Sequence, residues 1–121
     1  MREKITEKKN DNCYDVVIDG NKCKNIHSFL EEIGAAFKFP DYYGVNLNAF
    51  WDCIGDLSWL KANNYCLTIE NSKAFLSEET RKAQKEILDL LERVKQDWSN
   101  VPNFEGEDEY RKRSDFQIFY K

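Results

Sequence analysis

The sequence predicts an α/β domain, a small three-stranded parallel sheet with three to four helices packed against it. Three observations predict it. Three β-rich runs stand far apart, at Cys13–Ile18, Tyr65–Glu70 and Phe116–Tyr120. Stretches with helical apolar spacing lie between them, in the order β–α–α–β–(short α)–α–β, which right-handed crossovers connect into a parallel sheet. The length, 121 residues, suits one domain. With 41% apolar and 14% aromatic residues the chain is too rich in core-forming side chains to be disordered.

Residues 1–12 are polar and mixed in charge, a flexible leader to a single domain over 13–121. Cys13-Tyr-Asp-Val-Val-Ile18 is the first strand, and Asp19-Gly20 a turn signal. Ile26, Phe29, Leu30, Ile33 and Phe37 then recur at helical offsets, so one face of this helix is buried. Gly34 weakens the helix by up to about 1 kcal/mol relative to Ala. Pro40 ends it, because the residue before a proline is pushed out of the α region.

The second helix starts after Asn46, a good N-cap type. Leu47, Phe50, Trp51 and Ile54 share one face, and Asn48, Asp52 and Asp56 recur on another. Tyr65–Glu70 is the second strand. Asn71-Ser72 caps a short segment containing Phe75, and Ser77 caps a long helix whose apolar stripe is Ala83, Ile87, Leu90, Leu91, Val94 and Trp98. The other faces of that helix alternate in sign, which is ordinary solvation. Residues 99–114, with Pro102, Gly106 and an acidic run before Arg111-Lys-Arg113, read as a loop, insertion or small hairpin, and Phe116–Tyr120 closes the sheet.

Composition excludes several classes. With 18 basic against 22 acidic side chains the net charge is −4, which argues against a direct nucleic-acid binder, since that needs cations to neutralise phosphates. No apolar run approaches membrane-spanning length, and the start MREKITEKKNDN lacks the apolar stretch of a signal peptide, so a cytoplasmic location is expected. Cys13, Cys23, Cys53 and Cys66 then read as reduced thiols, mostly small core residues, with a Cys13–Cys23 disulfide as the alternative. Their spacing matches no zinc site. The single histidine, His27, excludes a two-histidine nucleolytic site and reads as exposed or capping beside a helix start. Neither a G-x-G-x-x-G nor a P-loop is present, and no cofactor or metal is expected.

The sharpest local bias is residues 39–60, FPDYYGVNLNAFWDCIGDLSWL, which hold Asp41, Asp52 and Asp56 with Tyr42, Tyr43, Trp51 and Trp59 but no Lys or Arg. Phe50 and Ile54 belong to the core, whereas Tyr43 and Trp51 fit either core or surface. Asp52 lies opposite Leu47 and has no cation four residues away on its own helix. Exposed carboxylates beside aromatics are common on ordinary surfaces, yet these residue types also dominate interface hot spots.

Pro40-Asp-Tyr-Tyr-Gly-Val-Asn-Leu-Asn-Ala-Phe-Trp-Asp-Cys-Ile54 resembles the signature of the barstar family of intracellular ribonuclease inhibitors. The resemblance covers roughly residues 13–98 and the final strand. It implies a non-enzymatic immunity protein that blocks a cognate ribonuclease toxin, as a monomer forming a one-to-one complex. Asp52 would mimic a phosphate facing catalytic Arg or His residues, and Tyr42 would pack on the enzyme. Gly44 would permit close backbone approach, Asn46 would start the helix, and Tyr43, Trp51 and Asp56 would complete the surface. The family's other acidic residue on this helix falls at Asn48, so one carboxylate is replaced by an amide. Trp59 stands two positions from the family's aromatic past the helix, and Glu92 is the nearest match to its glutamate on the long helix. Two rival readings remain: a barstar-like binding or regulatory module whose partner is not a nuclease, favoured by Asn48, and an enzyme built on Asp52, Asp56 and His27, for which pKa matching and mutual geometry are missing.

Overall fold

The computed structural model describes residues 13–60, 62–99 and 115–121. Its elements run β1 (Cys13–Asp19), a 3-10 turn (Gly20–Lys22), α1 (Ile26–Ala36), α2 (Leu47–Ile54), β2 (Asn64–Glu70), α3 (Arg81–Ser99) and β3 (Phe116–Tyr120). The strands pair in the order β1-β2-β3, both pairs parallel, with Tyr14 opposite Tyr65 and Tyr65 opposite Phe116. This is the predicted α/β architecture, with three helices.

Alternation along each strand sorts the side chains. Val16, Ile18, Tyr65, Leu67, Ile69 and Phe116 are buried on one face. Cys13, Asp15 and Val17 point the other way and are exposed. An all-parallel sheet ordinarily has both faces covered. Here the described residues leave the outer face open, with Val17 58% and Phe119 44% exposed.

The aromatic richness is mostly core. Phe75, Phe29, Phe50, Phe39, Phe37, Phe116, Tyr65 and Trp98 form a continuous run of ring contacts with centroids 5.1 to 6.5 Å apart. That run ties α1, α2 and α3 to the sheet. The polar tips of other aromatics close the helix ends, where the last four carbonyls lack intrahelical donors. In α1, Ile33, Gly34 and Ala35 carbonyls take the N–H groups of Phe37, Phe39 and Lys38, and Ala36 takes the Tyr14 hydroxyl at 3.0 Å. Trp59 Nε1 donates to the next carbonyl, Phe37 O, at 2.9 Å.

Between β2 and α3 the structure corrects the expectation of a short capped helix. Residues 71–79 form consecutive turns, with Asn71 and Leu76 at φ 52° and 60°. Leu76 N and Glu78 N donate to Cys23 O and Lys24 O, and Glu79 Oε2 accepts from Ile26 N at 2.8 Å. The segment turns on itself through bonds such as Ala74 N to Asn71 O and Ser77 N to Ala74 O, forms no α-helix, and also caps α1. The long helix starts at Arg81, with Thr80 Oγ1, not Ser77, accepting from Ala83 N. The cysteines are free, as expected, but the core placement expected of them changes for two. All four are free thiols, with Cys23 and Cys53 buried, Cys66 partly buried and Cys13 exposed, because Cys13 and Cys66 fall on the open face. The expected leader, and all but Ser99 of the expected loop at 99–114, lie outside the described residues.

Candidate functional site

α2 is built from local signals and rolled by long-range ones. Asn46 Oδ1 accepts from Ala49 N at 2.8 Å, so the N-cap is in place. Phe50, Cys53 and Ile54 are buried, and Leu57 beyond the helix is too. Leu47, which shares its helical spacing with Phe50 and Ile54, is 41% exposed, and Trp51, whose spacing fits core or surface, is 37% exposed. At about 100° per residue, burial of Cys53 and Leu57 rotates the core-facing arc by about 60° from the one that Leu47 and Trp51 would centre. The outward stripe is therefore Leu47, Asn48, Trp51 and Asp52, an apolar and polar pair on each of two turns.

Asp52 is exposed on this stripe, and no described residue pairs with it. Asp56 lies past the end of α2, half-buried, and its Oδ1 accepts from Ser58 N at 3.3 Å. Asp52 and Asp56 both act on the Cys53 thiol, whose pKa is pushed up chiefly by burial and further by these two charges. Asp41 and Tyr42 are exposed in the loop before α2, Tyr42 at 72%. Gly44 is exposed, and a Cβ there would meet only the Asn46 side chain, at 3.1 Å.

Two of the predicted residues serve the fold. Tyr43 donates its hydroxyl to Leu30 O at 2.9 Å and meets Phe39 edge-on at 4.8 Å. Its ring lies over Gly34, where a Cβ would come within 2.6 Å of Cε2, so Gly34 is required by this contact. Burial pushes the Tyr43 phenol up to about 12. Trp59 points inward to Phe37 O and packs edge-on to Phe39.

Glu92 stands apart from α2. It lines a cleft with Tyr120 and Ser72 between α3 and β3, pairs with Lys95 at 3.6 Å, and helps to raise the Tyr120 phenol, which burial raises most. From α3, Glu86, Asp89, Leu90 and Arg93 line, with Leu47, Asn48 and Trp51 of α2, a groove of about 550 Å³. α3 also fixes the far end of α2. Buried Trp98 donates Nε1–H to Ile54 O at 2.9 Å, and Asp97 Oδ2 comes within 3.9 Å of a Cβ built on Gly55. Arg93 and Asp97 were not singled out by the sequence. Their heptad-like spacing from Glu86 and Leu90 was the available signal.

No hydrogen bond or ion pair joins Asp52, Asp56 and His27 to one another among the described residues. Among the described residues, exposed His27 reaches only Glu31, at 3.5 Å, and no group of three potential metal ligands occurs. No described helix is long and apolar enough to cross a membrane. What the site provides is a rigid outward helix face with a carboxylate, an indole and a neighbouring groove.

Sequence comparison identifies the family. Residues 14–121 match the model of the family described as Barstar (barnase inhibitor). A Bacillus subtilis (strain 168) protein named "Putative ribonuclease inhibitor YrdF" is 33% identical over 81 residues, covering 61% of this chain and 89% of that protein. With the three-stranded parallel sheet and the Tyr-Tyr-Gly-x-Asn-Leu helix start in place, the chain belongs to the barstar (barnase inhibitor) family.

Proposed function

We propose that this protein is an immunity protein that inhibits a ribonuclease toxin by seating α2 and the preceding loop in the enzyme's active site. The observation that carries the reading is Asp52: an exposed carboxylate on a fixed helix, inside a segment of 22 residues without Lys or Arg. A ribonuclease groove is cationic because it binds phosphates. A carboxylate presented on a rigid surface occupies a phosphate position, and the acidic field around it speeds encounter. Tyr42 supplies exposed aromatic area, Trp51 flanks the carboxylate, and Gly44 leaves room for the enzyme's backbone. Asn46 and Tyr43 act by holding the loop and helix in shape. The inhibition is occlusion in a one-to-one complex in the cytoplasm, without covalent chemistry or cofactor.

The test is co-expression of the chain with a panel of ribonuclease toxins, scoring cell survival. Wild type protects against at least one toxin, and Asp52→Ala loses protection. By analogy with the barstar aspartate that is a standard hot spot against barnase, the loss is more than about 2 kcal/mol of binding. Survival unchanged by Asp52→Ala removes this carboxylate from the mechanism. Capture of a regulator with no nuclease among the partners favours a binding module instead.

A further inference from the structure

β3 is an edge strand without the usual guards of one. Among the described residues it pairs with β2 alone, in a parallel register with no bulge. Phe116–Tyr120 holds no charge and no proline, two of the features that blunt an edge against another chain. Phe119 and Tyr120 are 44% and 47% exposed, so apolar surface lies open beside the unpaired backbone. The other edge strand, β1, holds Asp15 and Asp19 and no cation.

The bonds to β2 show which backbone groups remain. Tyr65 N donates to Asp115 O at 2.9 Å, and Lys121 N donates to Ile69 O at 2.8 Å. Along a parallel strand, residues that bond one neighbour alternate with residues that face away from it. Asp115, Gln117, Phe119 and Lys121 therefore turn to β2. Phe116, Ile118 and Tyr120 point their N–H and C=O groups at the free edge.

We propose that β3 pairs antiparallel with β3 of a second copy of this chain, about a two-fold axis through Ile118, joining two sheets into one of six strands. Backbone and charge select the same register. It matches Ile118 with Ile118 and Phe116 with Tyr120 of the second copy, so the three outward residues of each strand bond one another. A slip of one residue sets them against groups already bonded to β2, and a slip of two takes Phe116 or Tyr120 off the end of the facing strand. The same register sets Asp115 opposite Lys121 of the second copy, twice by symmetry. Neither side chain has an ion-pair partner among the described residues. Opposite charges facing across a strand pair stabilise it, and like charges do the reverse. A surface that complements itself in this way is what a two-fold interface requires. Five residues a side make a small contact, so the dimer exchanges with monomer, with a micromolar dissociation constant. The pairing goes beyond the inhibitor reading and leaves it intact, because none of these residues lies on the α2 stripe and each copy keeps its own Asp52.

Sedimentation velocity of the full chain from about 1 μM to about 1 mM brackets this range. The mass rises from monomer toward dimer. Amide hydrogen exchange of the unaltered chain, followed by nuclear magnetic resonance, slows at Phe116, Ile118 and Tyr120 as concentration rises, while Gln117, Phe119 and Lys121 are protected by β2 throughout. Lys121→Asp and Asp115→Lys each set like charges opposite one another at both ends of the pairing and weaken the dimer about tenfold. The double variant carrying both regains it. Both side chains are exposed, so the core is kept, and far-ultraviolet circular dichroism checks each fold. A monomer at every concentration overturns the proposal. So does a dimer in which the Phe116, Ile118 and Tyr120 amides exchange as fast as in the monomer. Charge reversals that leave the dimer unchanged, or that the double variant fails to rescue, overturn the register.

Discussion

Replacing Trp98 by Phe tests how α2 is held, because it deletes one hydrogen bond at a defined place. Trp98 is 2% exposed, and its Nε1–H donates to Ile54 O, the last carbonyl of α2, at 2.9 Å. Phe keeps the ring contact with Tyr65, now at 5.1 Å between centroids, but carries no donor. Ile54 is 1% exposed, so water has poor access to the orphaned carbonyl. An unsatisfied buried acceptor costs about 1–3 kcal/mol. The missing half of the indole leaves a void worth about 1 kcal/mol at ~24 cal/mol per Å³. The expected loss is therefore about 2–4 kcal/mol, a large share of the roughly 6–18 kcal/mol typical of a domain this size. Urea unfolding followed by far-ultraviolet circular dichroism reads it as a lower midpoint with unchanged slope. A loss below about 1 kcal/mol would refute the claim that this bond anchors the helix end.

Gly34→Ala gains up to about 1 kcal/mol of helix propensity yet destabilises the protein, because its Cβ would lie 2.6 Å from the Tyr43 ring. The destabilisation disappears in a Tyr43→Ala background, measured by the same unfolding experiment. Association with the ribonuclease slows as salt rises from low to physiological strength, since exposed charges such as Asp52 are screened beyond about 8–10 Å; stopped-flow rates that ignore salt count against steering. Stability falls in alkali between the ordinary and the buried titration ranges. The folded Cys23 thiol is pushed from 9.0 to about 12 by burial and then by Glu32 and Asp19, and the Tyr43 phenol from 10.0 to about 12. Both groups are neutral when protonated, so the unfolded chain releases these protons first and the stabilisation present below pH 9 is lost as pH climbs toward 12. Unfolding midpoints at stepped pH check this, and a flat profile across the window contradicts it.

Local signals were legible and non-local ones were not. Asn46 caps α2 through its own side chain and a donor three residues away, so its role could be read from a short string. The strands were legible for the same reason, since alternation marks their faces. Residues 71–79 were misread because the donors of Leu76 and Glu78 find acceptors at Cys23 and Lys24, about fifty positions earlier, which no capping rule anticipates. Apolar periodicity counts Leu47 like Phe50 and leaves Trp51 open between core and surface. The actual roll of the helix is decided by Cys53 and Leu57 packing beneath it. Glu92 and Arg93 differ by one residue, or about 100° on α3. That step separates the cleft beside Tyr120 from the groove beside Trp51.

These long-range contacts explain how so short a helix can present a binding face. α2 has eight residues, about two turns, and an isolated helix of that length is marginal in water. Three buried side chains, the Asn46 cap and the Trp98 bond hold it from outside. The chain also enters and leaves it under strain, with Val45 at φ 51° and Leu57 at φ 52°, in a region that costs a side-chain-bearing residue about 1–2 kcal/mol. Such strain persists only where the surroundings over-determine the conformation. Leu57 is anchored by burial in the core, and Val45 packs against it. Folding itself has therefore met the ordering cost of α2, and a partner meeting Asp52 and Trp51 need not meet it again, which leaves more of each contact's energy to appear as affinity. It follows that Trp98→Phe, a buried change beneath the far end of α2, weakens ribonuclease binding by loosening α2. The same substitution in a surface indole that only touched the enzyme would leave the unfolding midpoint where it was.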